Sequence, residues 1–306
     1  MKAIFENSSI YQKIVILIAA IVVFFYILLG LSLFFVKMFF GIGLSEMMNG
    51  GLSAEAENLP ALRFLQVVQS IALFVVPALV VAYLFSNKPL HYLQLHSKAN
   101  IQLLFLTAGT IIFLLPFINL LAFLNSKLSL PDFLSGLETA IRSMEDSAME
   151  MTDLFLNVNT VGLLFFNIFM IAVLPAVGEE LLFRGVLQRI ITEATNKPHL
   201  SIFLTAAIFS AFHLQFFGFL PRLLLGMLFG YLLLWSKSLL MPMLAHFLNN
   251  AIAIISYYFI SAKGASTDLE TYGGTSETIL PALFTGVIGF ALLYLFYRTS
   301  KNVIQN

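Results

Sequence analysis

A run of apolar residues long enough to cross a bilayer restricts a chain severely, and eight apolar runs, the sixth of them short, follow one another along these 306 residues. They cover 14–36, 64–85, 101–123, 160–195, 200–218, 223–235, 239–260 and 279–297. Hydrocarbon offers the backbone no hydrogen-bond partner, so each run of ~20 residues reads as a helix that satisfies its own amides. The first run is too long for the ~7–15-residue core of a signal peptide and is expected to remain as a span. Composition agrees, since 59% of residues are hydrophobic and 10% are charged, against roughly 45–50% and 25% in soluble domains. The expected fold is all-α, a polytopic transmembrane helix bundle of about eight spans. The formal net charge of zero gives no reason to expect nucleic acid. Cysteine is absent, which removes disulfides, thiolate metal sites and a cysteine nucleophile together.

One long stretch between spans is polar. From 131 to 153 the apolar residues Phe133, Leu137, Ile141, Met144, Ala148 and Met151 recur at helical spacing, with Glu138, Arg142, Glu145, Asp146 and Glu150 between them. This predicts one amphipathic extramembrane helix, either a connector on the membrane surface or a lid over a substrate path. Three regions follow: N-terminal spans over 1–129, the amphipathic connector over 130–158 and a second group of spans over 159–306. Loop charge alternates. Lys2/Lys13, Lys88/Lys98, Arg189/Lys197, Lys237 and Arg298/Lys301 fall on one side of eight spans; Glu46/Glu55/Glu57, the acids of the polar stretch and Asp268/Glu270/Glu277 fall on the other. Basic residues favour the cytoplasmic side, so both termini are expected there. Arg63, Lys127, Arg142, Arg222 and Lys263 are minority basic residues outside.

Ionisable groups inside a span cost at least ~2.5–3.5 kcal/mol on insertion scales, so those present are candidate functional groups. The fourth run holds Glu179-Glu180-Leu-Leu-Phe-Arg184, the fifth Phe209-Ser-Ala-Phe-His213 and the seventh His246-Phe-Leu-Asn-Asn250. Glu180 and Arg184 are four apart and form an i,i+4 pair, which leaves Glu179, about 100° round the helix, freer to face a neighbour. A desolvated carboxylate beside an imidazole can act as a general base toward water. His246 and Asn250 also share a face and can aim two N–H donors at a developing oxyanion. Glu179, His213 and His246 could equally ligate a divalent metal such as zinc with water in the open position. Each residue also has a structural reading, as an interhelical hydrogen-bond partner or an ion pair. At 1.5 Å per residue, Glu180 and His213 each lie roughly 22 Å from the tight turn at 196–198, but His246 lies only ~13 Å from Lys237, which requires staggered helix ends. His91, His96 and His199 are expected to be solvated and uninvolved.

Together the three motifs resemble the CAAX prenyl endopeptidase and bacteriocin-processing (CPBP, or Abi) family of intramembrane proteases, whose pattern is Glu-Glu-x-x-x-Arg, then Phe-x-x-x-His, then His-x-x-x-Asn on separate spans. The match covers about 173–253. The resemblance implies an integral membrane endopeptidase, in a bacterial cell membrane, that cuts a membrane-associated peptide or protein at a site reached from the cytoplasm. By the family pattern Glu179 and His213 would activate water, His246 and Asn250 would hold the oxyanion, and Glu180, Arg184 and Phe209 would support the site. Members are described both as metalloproteases and as glutamate-dependent enzymes, so the cofactor stays open between none and a divalent metal. The alternatives are a non-catalytic membrane immunity or scaffold protein of the same fold, and a proton-coupled transporter.

Overall fold

The structure, a computed structural model, describes residues 3–43, 46–47, 57–96, 100–262 and 277–305. Lys2, Glu55, Lys98, Lys263, Asp268 and Glu270, used above to assign sides, lie outside them. Among the described residues every regular element is helical: α1 (Ile10–Phe40), α2 (Leu59–Phe85), the short α3 (Pro89–Tyr92), α4 (Ile101–Ser126), α5 (Ser135–Leu156), α6 (Val161–Thr195), α7 (Pro198–Phe212), α8 (Phe219–Ser236), α9 (Leu240–Ala262) and α10 (Ile279–Gln305). Seven of these are long and apolar enough to cross a membrane, so the chain is a polytopic helical bundle.

The fifth expected span, 200–218, is shorter than its apolar run. Helix α7 has 15 residues and stops at Phe212; at 1.5 Å each that is ~22 Å, less than the ~30 Å hydrocarbon core. The run looks longer because the turn after it, 213–218, contains Leu214, Phe216 and Phe217. Such a turn is tolerable at depth only if other elements satisfy its backbone. They do: Asn125 of α4 donates to the Phe216 carbonyl at 3.2 Å, Ser210 of α7 to the Phe219 carbonyl at 2.7 Å, and the Phe217 N–H donates to Glu145 of α5 at 3.1 Å. The sixth run, in contrast, is longer than expected, because α8 begins at Phe219 and has 18 residues.

Helix α5 is the expected amphipathic helix. Its one buried residue is Phe155, and the Phe155 carbonyl accepts from Arg63 of α2 at 3.3 Å and Asn167 of α6 at 2.6 Å. A cation at a helix C-terminus is favoured by the helix dipole. At the other end, Glu138 accepts from the Leu130 N–H at 2.7 Å and from Arg142 at 2.8 Å. Between the two anchors the Arg142 guanidinium lies 3.7 Å over the Phe217 ring, which ties α5 to the turn 213–218.

Buried apolar side chains form one cluster between α1, α2, α6, α7 and α8 and a second between α4, α8, α9 and α10. Helices α6, α8 and α9 meet where the clusters adjoin, and there the polar residues of the sequence motifs lie.

Candidate functional site

Helix α6 is not a uniform α-helix. Residues Ile168–Val173 and Glu180–Leu187 are π-helical, and the short α-helical piece between them carries Pro175. Proline has no N–H to return to the carbonyl four residues earlier, so Ile171 loses its α-helical donor. Asn250 of α9 replaces it, its amide donating to the Ile171 carbonyl at 3.0 Å. Asn250 Oδ1 in turn accepts from Asn249 at 3.1 Å. Insertions of π geometry concentrate at functional sites, and the second one here starts at the paired carboxylates.

The two carboxylates differ sharply. Glu180 is fully buried, and its Oε1 accepts from Arg184 Nη1 at 2.8 Å and from His246 Nδ1 at 2.9 Å. Arg184 Nη2 continues to the Gly226 carbonyl of α8 at 3.2 Å, and the guanidinium lies between the rings of Phe209 at 4.4 Å and Phe229 at 5.3 Å. Glu180 is thus fixed by two partners from two helices. Glu179 keeps 12% of its side chain exposed, and its Oε2 stands 4.0 Å from His246 Nε2, beyond direct hydrogen-bond reach. The Nδ1 of His246 is turned to the Glu180 carboxyl, and Nε2 faces Glu179. The imidazole is held in this pose by Phe229, stacked at 5.2 Å, and by Phe209, edge-on at 6.2 Å.

His213 follows the last turn of α7. Its Nδ1 faces the Phe209 carbonyl at 2.9 Å and its ring meets Phe209 edge-on at 5.0 Å, with the side chain at the protein surface. Its carbonyl partner puts the proton on Nδ1 and leaves Nε2 as an acceptor. The structure therefore joins Glu179, Glu180, Arg184 and His246 in one network, with Phe209 as a wall. It places Asn250 on the backbone of α6 and His213 at the rim. His199 pairs with Tyr231 at 3.1 Å, and His91 stacks on His96 at 4.0 Å, separate from this network.

The stagger that His246 requires is present. The Leu239 N–H donates to the Gln94 carbonyl at 3.0 Å, and the side chains of Leu93 and Leu239 stand against Gly185. The α8–α9 turn is therefore level with Gly185, some ten residues or ~15 Å deeper than the turn at Asn196. Gly226 and Gly230 make this close approach possible. A Cβ on Gly226 would meet Ala206 Cβ at 3.0 Å, and one on Gly230 would meet Ile202 at 2.8 Å and Gln188 at 2.9 Å. Gln188, one turn below Arg184, reaches toward the Gly230 carbonyl at 3.5 Å. Gln188, Gly226, Gly230 and the Pro175–Ile171 pair were not singled out in the sequence; a glycine pair four apart inside an apolar run was the available signal.

A divalent metal is one implication of the motif resemblance, and the donor arrangement does not fit it. Among the described residues no three of His, Asp and Glu stand where they could hold a metal ion.

Residues 161–252 match the family profile described as type II CAAX prenyl endopeptidase Rce1-like. That segment runs from the start of α6 into α9 and contains all three motifs, so it is an Rce1-like domain consistent with the CPBP family. A protein of Bacillus subtilis (strain 168), described as uncharacterized protein YpbD, is 31% identical over 90 residues, covering 28% of this chain and 43% of that one. The match thus spans less than half the length of that relative. No solved structure matches.

Proposed function

We propose that the chain, an integral membrane protein with an Rce1-like segment over 161–252, is an intramembrane endopeptidase that hydrolyses a peptide bond of a membrane-associated peptide or protein. The observation that carries this reading is the division of labour between the carboxylates. Glu180 is consumed in holding Arg184 and His246, whereas Glu179 Oε2 faces His246 Nε2 across 4.0 Å, a separation that one bridging water would span.

In the proposed reaction Glu179 takes a proton from that water as its oxygen adds to the substrate carbonyl carbon. The C=O electron pair moves onto oxygen, and the C–N bond then breaks as Glu179 returns the proton to the leaving nitrogen. His246 orients the water through Nε2, and Glu180 fixes the imidazole tautomer as an acid partner does in a hydrolytic triad. His213, at the rim with Nε2 open, accepts a hydrogen bond from the incoming peptide. The proposed setting is a bacterial cell membrane with both termini cytoplasmic, from loop charge. No step uses a metal.

The test offers membrane-anchored peptides to protein reconstituted in liposomes. Wild type cleaves, and Glu179→Gln loses ~10²–10⁴ in kcat, as removal of a general base does. Equal cleavage by the two overturns the proposal and favours a non-catalytic protein of the same fold. Washing with a chelator leaves the rate unchanged; a loss restored by zinc would show the base to be a ligand instead.

A further inference from the structure

Helices α6 and α8 are locked in a parallel register. Arg184 bonds the carbonyl of Gly226 and Gln188 reaches that of Gly230, each pair 42 residues apart. The same offset one turn earlier sets Arg222 level with Glu180. Arg222, Gly226 and Gly230 are spaced by four, so all three lie on the face of α8 that α6 contacts. The Arg222 side chain points back toward the start of its helix, as helical side chains do. Its guanidinium rests over Gly218, where a Cβ would stand 2.5 Å from Nη1, and Nη2 donates to Gln215 Oε1. Its charge acts on both Glu179 and His213. Meanwhile Asn250, an expected oxyanion donor, has its amide on the Ile171 carbonyl and its Oδ1 on Asn249. That leaves one of its two amide N–H groups for an oxyanion.

We infer that Arg222 is a further catalytic residue, whose guanidinium donates to the carbonyl oxygen of the scissile peptide as that oxygen becomes an oxyanion. This rests on the hydrolase reading above. Electrostatic donors aimed at developing charge in a water-poor site are among the largest contributors to catalysis. Arginine suits the role because it stays protonated and presents several N–H groups in a fixed plane. Gln215 aims it by occupying one arm, and the turn 213–218 that carries Gln215 is held in turn by Asn125, Ser210 and Glu145.

The experiment compares wild type, Arg222→Ala and Arg222→Lys in liposomes, with cleavage of an anchored peptide measured with and without added guanidinium ion. Arg222→Ala is expected to lose ~10²–10³ in kcat with KM nearly unchanged, and guanidinium to restore part of the rate. Arg222→Lys is expected to fall between the two. A phosphinic peptide, which carries an anionic tetrahedral centre, should bind Arg222→Ala more weakly by a similar factor, while the uncleaved substrate binds a doubly substituted Glu179→Gln, Arg222→Ala protein as it binds Glu179→Gln alone. A kcat equal to wild type, or a loss that appears only in KM and ignores guanidinium, overturns the assignment. Failure of wild type to cleave defeats the hydrolase reading and this one with it; cleavage that Arg222→Ala matches defeats this one alone.

Discussion

Helices α1 and α6, of 31 and 35 residues, are both long apolar helices, yet their environments are opposite. Helix α1 buries Leu17, Ser32 and Val36 and exposes Val22, Val23, Tyr26, Ile27 and Phe34 along its length. Helix α6 buries every residue from Glu180 to Val186. Hydropathy sends both into the membrane and cannot distinguish them. The difference is that α6 has protein around it over Glu180–Val186, so there it can carry groups that lipid would reject. Its carboxylate, its guanidinium and the carbonyl freed by its proline are each hydrogen-bonded to a neighbouring helix.

The strongest way to break this comparison is to remove one charge from the surrounded helix. Arg184→Leu leaves the Glu180 carboxylate without its guanidinium in a dry site and should cost ~3–5 kcal/mol, read from unfolding in mixed micelles. The double substitution Glu180→Leu, Arg184→Leu should recover much of that loss, since a buried pair replaced by apolar groups is often near neutral. If single and double variants are equally unstable, the pair is not what distinguishes α6. Next in size is the α8 contact. Gly226→Ala pushes a methyl against Ala206 and Arg184 and should cost ~1–3 kcal/mol. On α1, Gly30→Ala, with nothing within 4 Å of the added carbon, should change stability by less than ~1 kcal/mol; thermal unfolding of the two side by side sharpens the contrast.

Smaller effects probe the repair of the backbone. Asn250→Leu removes the donor to Ile171 and should cost ~0.6–1.7 kcal/mol, the range of interhelical hydrogen bonds in membranes. Hydrogen exchange should rise locally around Pro175 and leave α1 as it was. The last effect lies outside the spans. The Leu130 N–H, and after it Arg142, hold the Glu138 carboxyl below its ordinary value of 4.5. Its contribution to anchoring α5 is therefore full above that value and lost as pH falls through the lowered one. Exchange of the Leu130 amide should increase on acidification below about 4.5, and a flat profile would show that Glu138 does not hold the start of α5.

How much of this was legible beforehand follows the same division. The spans and the amphipathic helix could be read because period and length depend on local sequence. The Glu180–Arg184 pair could be read because i,i+4 spacing is local too. The end of α7 could not, since the apolar turn 213–218 is satisfied by Asn125 and Glu145, 91 and 72 residues away from their partners. Nor could the partners of His246 and Asn250. One shared helix face suggested a common target, but π-helical turns and Pro175 in α6 present Glu180 to one residue and an open carbonyl to the other. Arg222 read as an ordinary loop-side cation because the register between α6 and α8 is set by contacts that no single segment contains.

The shortness of α7 and α8 also bears on the lipid. Their 15 and 18 residues give lengths of ~22 and ~27 Å, below the ~30 Å hydrocarbon core that the neighbouring helices match or exceed. A bilayer meeting a short hydrophobic wall thins locally at a modest cost per ångström. The dimple forms on the side of the bundle where α7 leads to the rim at His213. A peptide backbone approaching Glu179 from there would cross less hydrocarbon than beside a full-length helix, so membrane shape itself becomes part of how the proposed substrate is admitted.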